Sequence, residues 1–408
     1  MRLMFVVQRY GREIAGGSEQ CCRLYAEHCA ARGHHVEVAT SCAKTYTDWK
    51  NEFPPGAETI NGVFVNRFPV DRERSDDTFA RINDAVAWRD TPTPLSLQHR
   101  WIEEMGPRTL DLPGYLQTRA ADIDVFVFFT YLYYPTVKGL LALRGLAPSV
   151  FHPTAHVEPY LWVPLFEEVF RVPDTLAFLT PEEGDLVRTR FGIDPMSDVL
   201  GVGVDLDVYG NGDRFRREYG IGEDPYLLYV GRIDAGKGSL EMFEYFRAYK
   251  NRRPGRLKLV IVGDPVLTLP ANDSVIVTGY LSEEAKLDAI AGCTAFLQPS
   301  YYESFSMALT EAWSQRRPAL VQGRCDVLVG QATRSQGGLP YVGYAQFEAT
   351  VDEVLGNPKL AETLGNNGRD YVERMYHWDA IMDRYDVLLE RTTKEHAQRS
   401  SSDSSTRP

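Results

Sequence analysis

Short apolar runs, each followed by a loop and then a helical stretch, recur along this chain and restrict it to parallel sheets covered by helices. The run "RLMFVV" reads as a buried strand, "AGGSEQ" as a loop, "EQCCRLYAEHCAARG" as a helix closed at Gly33, and "HHVEVATS" as a second strand. A strand buried on both faces needs no polar alternation, so these runs suit a parallel sheet with helices on either side. "DVFVFFTYLYYPT", "PSVFHPTAH" and "TLAFLTPEEGDLVRTRFG" continue the series. From "YLLYVGRID" a second series begins, with the strands "LKLVIVGD", "SVIVTGY", "AFLQPS" and "PALVQG". The expected class is α/β, with two doubly wound domains in series: residues 1–195, then residues 196–376. A last helix over 377–392 is expected to return to the first domain, and the polar tail 393–408, with nothing to bury, is expected to be disordered. Residues 43–119 break the pattern, with a small β excursion in "FPPGAETINGVFVNRFPV" and helices in "ARINDAVAWRD" and "LSLQHRWIEEM".

A chain of 408 residues, 44% of them hydrophobic, is too long for one ordinary core and agrees with two domains. Its net charge of −12 excludes a duplex nucleic-acid binder, which needs a basic face to displace counterions from phosphates. Six cysteines without a CxxC pair point to reduced thiols and to neither a zinc ribbon nor a disulfide framework. The N-terminal apolar run is short, and no eighteen-residue apolar stretch follows, so a cytoplasmic protein is expected. The basic segment "KNRRPGR" (250–256) and the arginines around Arg100 and Arg108 have two readings: solvated surface charge, or peripheral contact with anionic lipid at the inner membrane face.

The stretch "YYESFSMALTEAW" (301–313) follows the strand "AFLQPS" and carries two acids, Glu303 and Glu311. Ligands in open α/β sheets bind at that edge of the sheet. A helix starting near Ser306 would aim the amides of Ser304, Phe305 and Ser306 at an anion. Eight residues of helix separate the acids by about 12 Å along the axis, too far for a catalytic dyad. Acids at both ends of an anion site suit an extended ligand with hydroxyls at each end and phosphate between, such as a nucleotide sugar. Glu311 is equally readable as a surface glutamate, but Leu309, Ala312 and Trp313 around it argue for partial burial, where a carboxylate needs a partner.

"YLLYVGRIDAGKGSLEMFEYF" (226–246) is another strand, glycine loop and helix. Gly231, Gly236 and Lys237 follow the phosphate-loop pattern of nucleotide hydrolases until position 238, where glycine replaces the hydroxyl residue that holds magnesium. "LKLVIVGD" would then supply an acidic strand end at Asp264. Without magnesium, the same loop offers Arg232 and Lys237 as fixed cations for a departing diphosphate, or as ordinary loop cations at a strand end. His152 and His156 stand four residues apart, but Pro153 disfavours a helix through both and no third ligand is evident, so no metal site is expected.

The pair "GRIDAGKG" and "ESFSMALTE" resembles the Arg…Lys-Gly and Glu-x7-Glu signatures of the retaining glycosyltransferases of family 4, which have the GT-B fold. The resemblance extends to "GVGVDLDVY", to "VTGYLSEEAKLDAIAGCTAFLQPSYYESF" and to "AGGSEQCCRLYAEHCAARGHHVEVAT", covering most of the chain except residues 43–119. It implies two Rossmann-like domains facing across a cleft, an N-terminal one for the acceptor and a C-terminal one for the donor. It implies that Arg232 and Lys237 bind the donor diphosphate, that Glu311 holds the ribose, and that Glu303 with the amides of Ser304–Ser306 contacts the donor sugar. Gly16 and Gly17 would lie against the diphosphate, Tyr280 would line the base pocket, and His156 would stand near the reacting sugar.

The chain departs from the family where "EGFG" is common and "ESFS" stands here, so that Ser304 and Ser306 narrow the space around the donor sugar. The activity implied is transfer of a sugar from a UDP- or GDP-type donor to a glycan, lipid-linked or small-molecule acceptor. It would proceed without metal or other cofactor, by front-face attack with retention. Alternatives are a nucleotide-sugar epimerase or hydrolase of the same fold, a silent sugar-nucleotide-binding subunit and a magnesium-dependent nucleotide hydrolase.

Overall fold

A computed structural model describes residues 1–14, 16–88, 93–233, 235–263 and 272–405. They form two compact units, Met1–Leu200 with Met382 onward, and Gly201–Ile381.

The first unit is built on eight strands: β1 (Arg2–Val6), β2 (His35–Ser41), β3 (Gly56–Ile60), β4 (Val63–Phe68), β5 (Val125–Phe129), β6 (Ser149–His152), β7 (Thr175–Phe178) and β8 (Met196–Val199). Their order is β3-β4-β2-β1-β5-β6-β7-β8, and every pairing is parallel except β3 with β4. That exception is a hairpin turned by Asn61 and Gly62, both at positive φ, as an Asn-Gly turn requires. It is the β excursion expected from the sequence. The helices are α1 (Gly17–Ala31), α2 (Asp76–Ala87), α3 (Leu95–Met105), α4 (Asp111–Thr118), α5 (Tyr134–Leu143), α6 (Leu165–Val169) and α7 (Pro181–Phe191). Central strand β5, "VFVFF", is buried throughout. Phe126 and Phe128 join Trp101, Ile102 and Leu116 in one core, so α3 and α4 of the irregular region close the same sheet.

The second unit has strands β9 (Tyr226–Val230), β10 (Lys258–Val262), β11 (Val275–Gly279), β12 (Ala295–Gln298), β13 (Ala319–Gln322) and β14 (Gly338–Tyr341). Their order is β11-β10-β9-β12-β13-β14, with every pairing parallel. Around them lie α8 (Gly212–Glu218), α9 (Ser239–Arg252), α10 (Glu283–Gly292), α11 (Met307–Ser314), α12 (Asp326–Ser335), α13 (Tyr344–Gly356) and α14 (Pro358–Met375). The chain ends in α15 (Trp378–Ser405).

Two boundaries differ from the sequence reading. Residues 196–199 pair with β7 as an eighth strand, so the first unit runs to Leu200 instead of 195. The tail expected to be disordered from 393 continues the last helix as far as Ser405. Its anchors lie at the start of β7: the Thr392 and Thr175 hydroxyls are 2.8 Å apart, and His396 Nδ1 is 3.2 Å from the Asp174 carboxylate. A low-hydrophobicity reading cannot register these polar anchors. All six cysteines are buried free thiols. Among the described residues no helix is long and apolar enough to cross a membrane.

Candidate functional site

In the second sheet the chain runs outward from β9 to β11, then returns to place β12 on the other side of β9. The carboxyl ends of β9 and β12 therefore flank the switch point, where open α/β sheets bind ligands. The loops that follow these two strands carry the two sequence signatures. They are in close contact: Gly238, at φ 67°, caps α9 so near the other loop that a Cβ would lie 2.4 Å from the Pro299 carbonyl oxygen. A serine or threonine cannot stand there, which gives position 238 its glycine and speaks against the magnesium phosphate loop. Asp264 lies outside the described residues.

Across these loops Lys237 Nζ is 2.8 Å from Glu303 Oε1, and the carboxylate is largely buried. Arg232 is exposed at the start of the same loop, with its carbonyl receiving the Tyr229 hydroxyl at 2.8 Å. Helix α11 begins after Ser306, which holds φ 74° and ψ 77°, a left-handed conformation that favours glycine. The glycine of the family's "EGFG" follows from this backbone. Here serine tolerates it with its hydroxyl 2.6 Å from Gln298 Nε2. Ser304 is half-buried on this loop. The Phe305 side chain is only 2% exposed and packs edge-on against Tyr376, so Phe305 has only its backbone to offer a ligand. Tyr280 is exposed in the loop after β11.

Glu311, within α11 itself, is paired with a residue that the sequence did not single out. Lys286 Nζ of α10 lies 2.9 Å from Glu311 Oε1 and 2.8 Å from Glu283. Burial drives the Glu311 carboxyl above the ordinary carboxylate range, with Lys286 pulling it back. Burial opposes the charge on Lys286, yet Glu311 and Glu283 outweigh it and hold the ammonium above the usual lysine range. Each acid of the signature thus has its own lysine, and no bond joins the two acids. A second unforeseen group is Glu241, in the first turn of α9, which accepts from the Tyr301 hydroxyl at 3.0 Å and so ties that helix to the loop of Glu303.

In the first unit the switch point lies between β1 and β5. The loop after β1 leads to Gly16 and Gly17 over a buried ion pair, with Arg9 Nε 2.9 Å from Glu19 Oε1. Burial raises the Glu19 carboxyl, but Arg9 more than offsets it, and the group rests below the ordinary range. A Cβ on Gly16 would lie 2.3 Å from Glu19 Oε2, whereas one on Gly17 would meet no atom within 4 Å. A side chain at the first glycine would have to displace the Glu19 carboxylate that Arg9 holds, whereas the second glycine is unexplained from within.

His156 is partly exposed on the loop after β6. That loop is held at several points: Tyr131 N donates to the Pro153 carbonyl at 3.0 Å, Ala155 N to Glu183 Oε1 at 2.7 Å, and the Tyr131 hydroxyl to Glu158 at 2.6 Å. Thr130 and Thr154, β-branched yet at φ 66° and 50°, face each other here through their hydroxyls. Such strain persists only where the surroundings impose it. Glu183, fully buried, is raised by that burial to about 8. His152 is separated from this loop in character. It is buried, stacked 4.3 Å on Phe129, 3.3 Å from the Tyr385 hydroxyl, and held by burial down to about 3. No group of three or more His, Cys, Asp or Glu suited to a metal occurs among the described residues.

Residues 211–371 match the family "Glycosyl transferases group 1". Among curated relatives, the alpha-D-kanosaminyltransferase of Streptomyces kanamyceticus is 28% identical over 191 residues, 44% of this chain and 49% of that protein. The chain spans about half the length of the first such relatives it matches. Among solved structures, the sucrose-phosphate synthase of Thermosynechococcus elongatus aligns at TM-score 0.70 and 17% identity, covering 96% of this chain and 99% of its own. HepE of Anabaena, solved with UDP and glucose, aligns at TM-score 0.70 and 14% identity, covering 96% and 100%. The signatures of both second-unit loops meet at one switch point, residues 211–371 are similar to the glycosyl transferases of group 1, and the chain shares its fold, of the GT-B type, with these solved structures.

Proposed function

We propose that the chain is a retaining glycosyltransferase that moves a sugar from a UDP- or GDP-type nucleotide diphosphate sugar to an acceptor hydroxyl without a metal ion. The observation that carries this reading is the Lys237–Glu303 pair at the β9/β12 switch point, a cation for phosphate and an acid for sugar hydroxyls side by side. The UDP and glucose bound by HepE, and the kanosaminyltransferase among the relatives, support a nucleotide-sugar donor.

In this reading Arg232 and Lys237 neutralise the diphosphate as its bond to the anomeric carbon breaks, the part that a divalent ion plays elsewhere. The amides of Ser304–Ser306 add donors at the start of α11. The acceptor oxygen bonds to the anomeric carbon on the face that the diphosphate leaves, and its proton passes to a departing phosphate oxygen, so no protein nucleophile is needed. Glu303 orients sugar hydroxyls and favours positive charge on the ring. Glu311, fixed by Lys286, takes the ribose hydroxyls, and Tyr280 lines the base. Gly17, whose lack of a side chain its own fold does not require, admits a phosphate to its backbone. His156 contributes to the donor sugar from its braced loop. The acceptor is a glycan, a lipid-linked sugar or a small molecule, and the enzyme works in the cytoplasm.

The test is a screen of UDP-, GDP-, ADP- and dTDP-sugars for thermal stabilisation, with and without EDTA, followed by NMR of the anomeric proton in the product formed with the best donor. An α-sugar donor that yields an α-linked product in EDTA supports the reading. An inverted product, or activity abolished by EDTA, overturns it. Free sugar released from donor alone as fast as any transfer would favour the hydrolase.

A further inference from the structure

At the opposite edge of the second sheet, where β9, β10, β12 and β13 begin, the surface opens into a cavity of about 860 Å³. Its wall includes the apolar side chains Leu257, Val354 and Leu355, together with five arginines: Arg216, Arg253, Arg256, Arg316 and Arg317. Glu362 is the one acid among the lining residues. In a chain of net charge −12, such a concentration of guanidinium groups calls for an explanation.

Two of the five have carboxylate partners: Arg256 pairs with Asp224, and Arg253 lies 3.1 Å from Asp352. Among the described residues the other three bond only to neutral acceptors. Arg216 donates to the carbonyls of Asp224 and Gly292 at 2.8 and 2.6 Å, Arg317 to the Cys293 carbonyl at 3.2 Å, and Arg316 to Asn366 Oδ1 at 2.9 Å. The Nε–H of Arg317 is buried with no acceptor among the described residues. Helices α9, α10, α11 and α13 end at this edge, and their terminal carbonyls offset part of this charge, at roughly half an electron charge each.

We propose that this cavity binds a phosphate-bearing ligand, its phosphate oxygens taking donors from Arg316 and Arg317 and its apolar part resting on Leu257, Val354 and Leu355. Guanidinium groups match phosphate oxygens in pairs, and a ligand with both a phosphate and an apolar part uses both kinds of wall. The site is independent of the donor site, since Lys237 and Glu303 stand at the other edge of the sheet. The same phosphate chemistry is available from a free phosphate ester or from an anionic lipid headgroup, and the experiment separates them.

Wild-type protein, Arg316→Asn, the double variant Arg316→Asn/Arg317→Gln, and Lys237→Ala are compared by equilibrium dialysis with radiolabelled inorganic phosphate. The same set is cosedimented with phosphatidylcholine vesicles, with and without phosphatidylglycerol. Arg316 is exposed at φ 57°, where asparagine is well tolerated, so the single variant keeps the fold. Phosphate binding weakened at least about tenfold in the double variant and retained in Lys237→Ala supports the proposal with a soluble ligand. Loss confined to phosphatidylglycerol vesicles in the same variants supports it with a lipid source. Binding lost only in Lys237→Ala, unchanged in both arginine variants, or absent from the wild type for both probes overturns it.

Discussion

Lys237 and Glu303, 66 positions apart in the sequence, meet at 2.8 Å because β9 and β12 are adjacent strands at a switch point. On the proposed mechanism the two have separable tasks. Glu303→Gln removes a charge that matters most as the sugar ring becomes positive, so kcat falls by about 10²–10³-fold while the donor KM stays within about threefold. Lys237→Ala removes a diphosphate contact present in ground and transition states, so both kcat and KM worsen. Steady-state kinetics with the best donor checks this, and equal losses in the two variants would contradict the assigned roles.

Lys286 and Glu311 form a coupled pair with little solvent access. Lys286→Met leaves a buried carboxylate without its main partner, with an expected loss of about 1–3 kcal/mol in urea unfolding and a weaker hold on the nucleotide. Adding Glu311→Gln removes the stranded charge and recovers part of that stability. A double-mutant cycle with coupling below about 0.5 kcal/mol would show that the pair is incidental.

The two glycines of the first unit separate fold from function. Gly16→Ala drives a methyl into the Glu19 carboxylate and is expected to lower stability by about 1–3 kcal/mol, as overpacking does. Gly17→Ala meets open space and is expected to leave the unfolding midpoint unchanged while lowering transfer activity at least about tenfold. Full activity in Gly17→Ala would remove that residue from the donor site.

His152 supplies a pH dependence. In the folded chain it stays neutral down to about pH 3 because of burial, whereas unfolded it titrates near its ordinary value of 6.5. As pH falls below 6.5 the unfolded chain takes up a proton that the folded chain refuses, so this group lowers stability on acidification, by at most about 1.4 kcal/mol per pH unit. Above 6.5 it has no such effect. His152→Phe keeps a ring against Phe129 and removes this slope, so the gap between urea midpoints at pH 7 and pH 5 narrows. An unchanged gap would contradict the account.

The two signatures were legible in the sequence because glycine, arginine, lysine and glutamate fall at fixed positions after readable strands. Their local geometry became clear only with backbone angles: Gly238 and Ser306 both lie in left-handed conformations, one native to its residue and one strained. Lys286 was not legible. It sits 25 positions before Glu311 on another helix, and only the packing of α10 beside α11 gives it a partner. Thr130 and Thr154 look like ordinary strand-end residues until their angles are seen. The terminal helix was misread because Thr392 and His396 hold it through polar contacts with Thr175 and Asp174, which composition does not register. The arginine cavity gathers residues from segments spread between 216 and 366, of which only "KNRRPGR" stood out in the sequence.

The central claim is that a guanidinium and an ammonium, in place of a divalent ion, hold the donor's pyrophosphate. Isothermal titration of UDP and GDP into wild type and Lys237→Ala, each with magnesium and with EDTA, tests it most directly. The account predicts that the preferred nucleotide binds the wild type equally well in both buffers and binds Lys237→Ala at least about tenfold more weakly. Binding that disappears in EDTA, or that Lys237→Ala leaves unchanged, would contradict it.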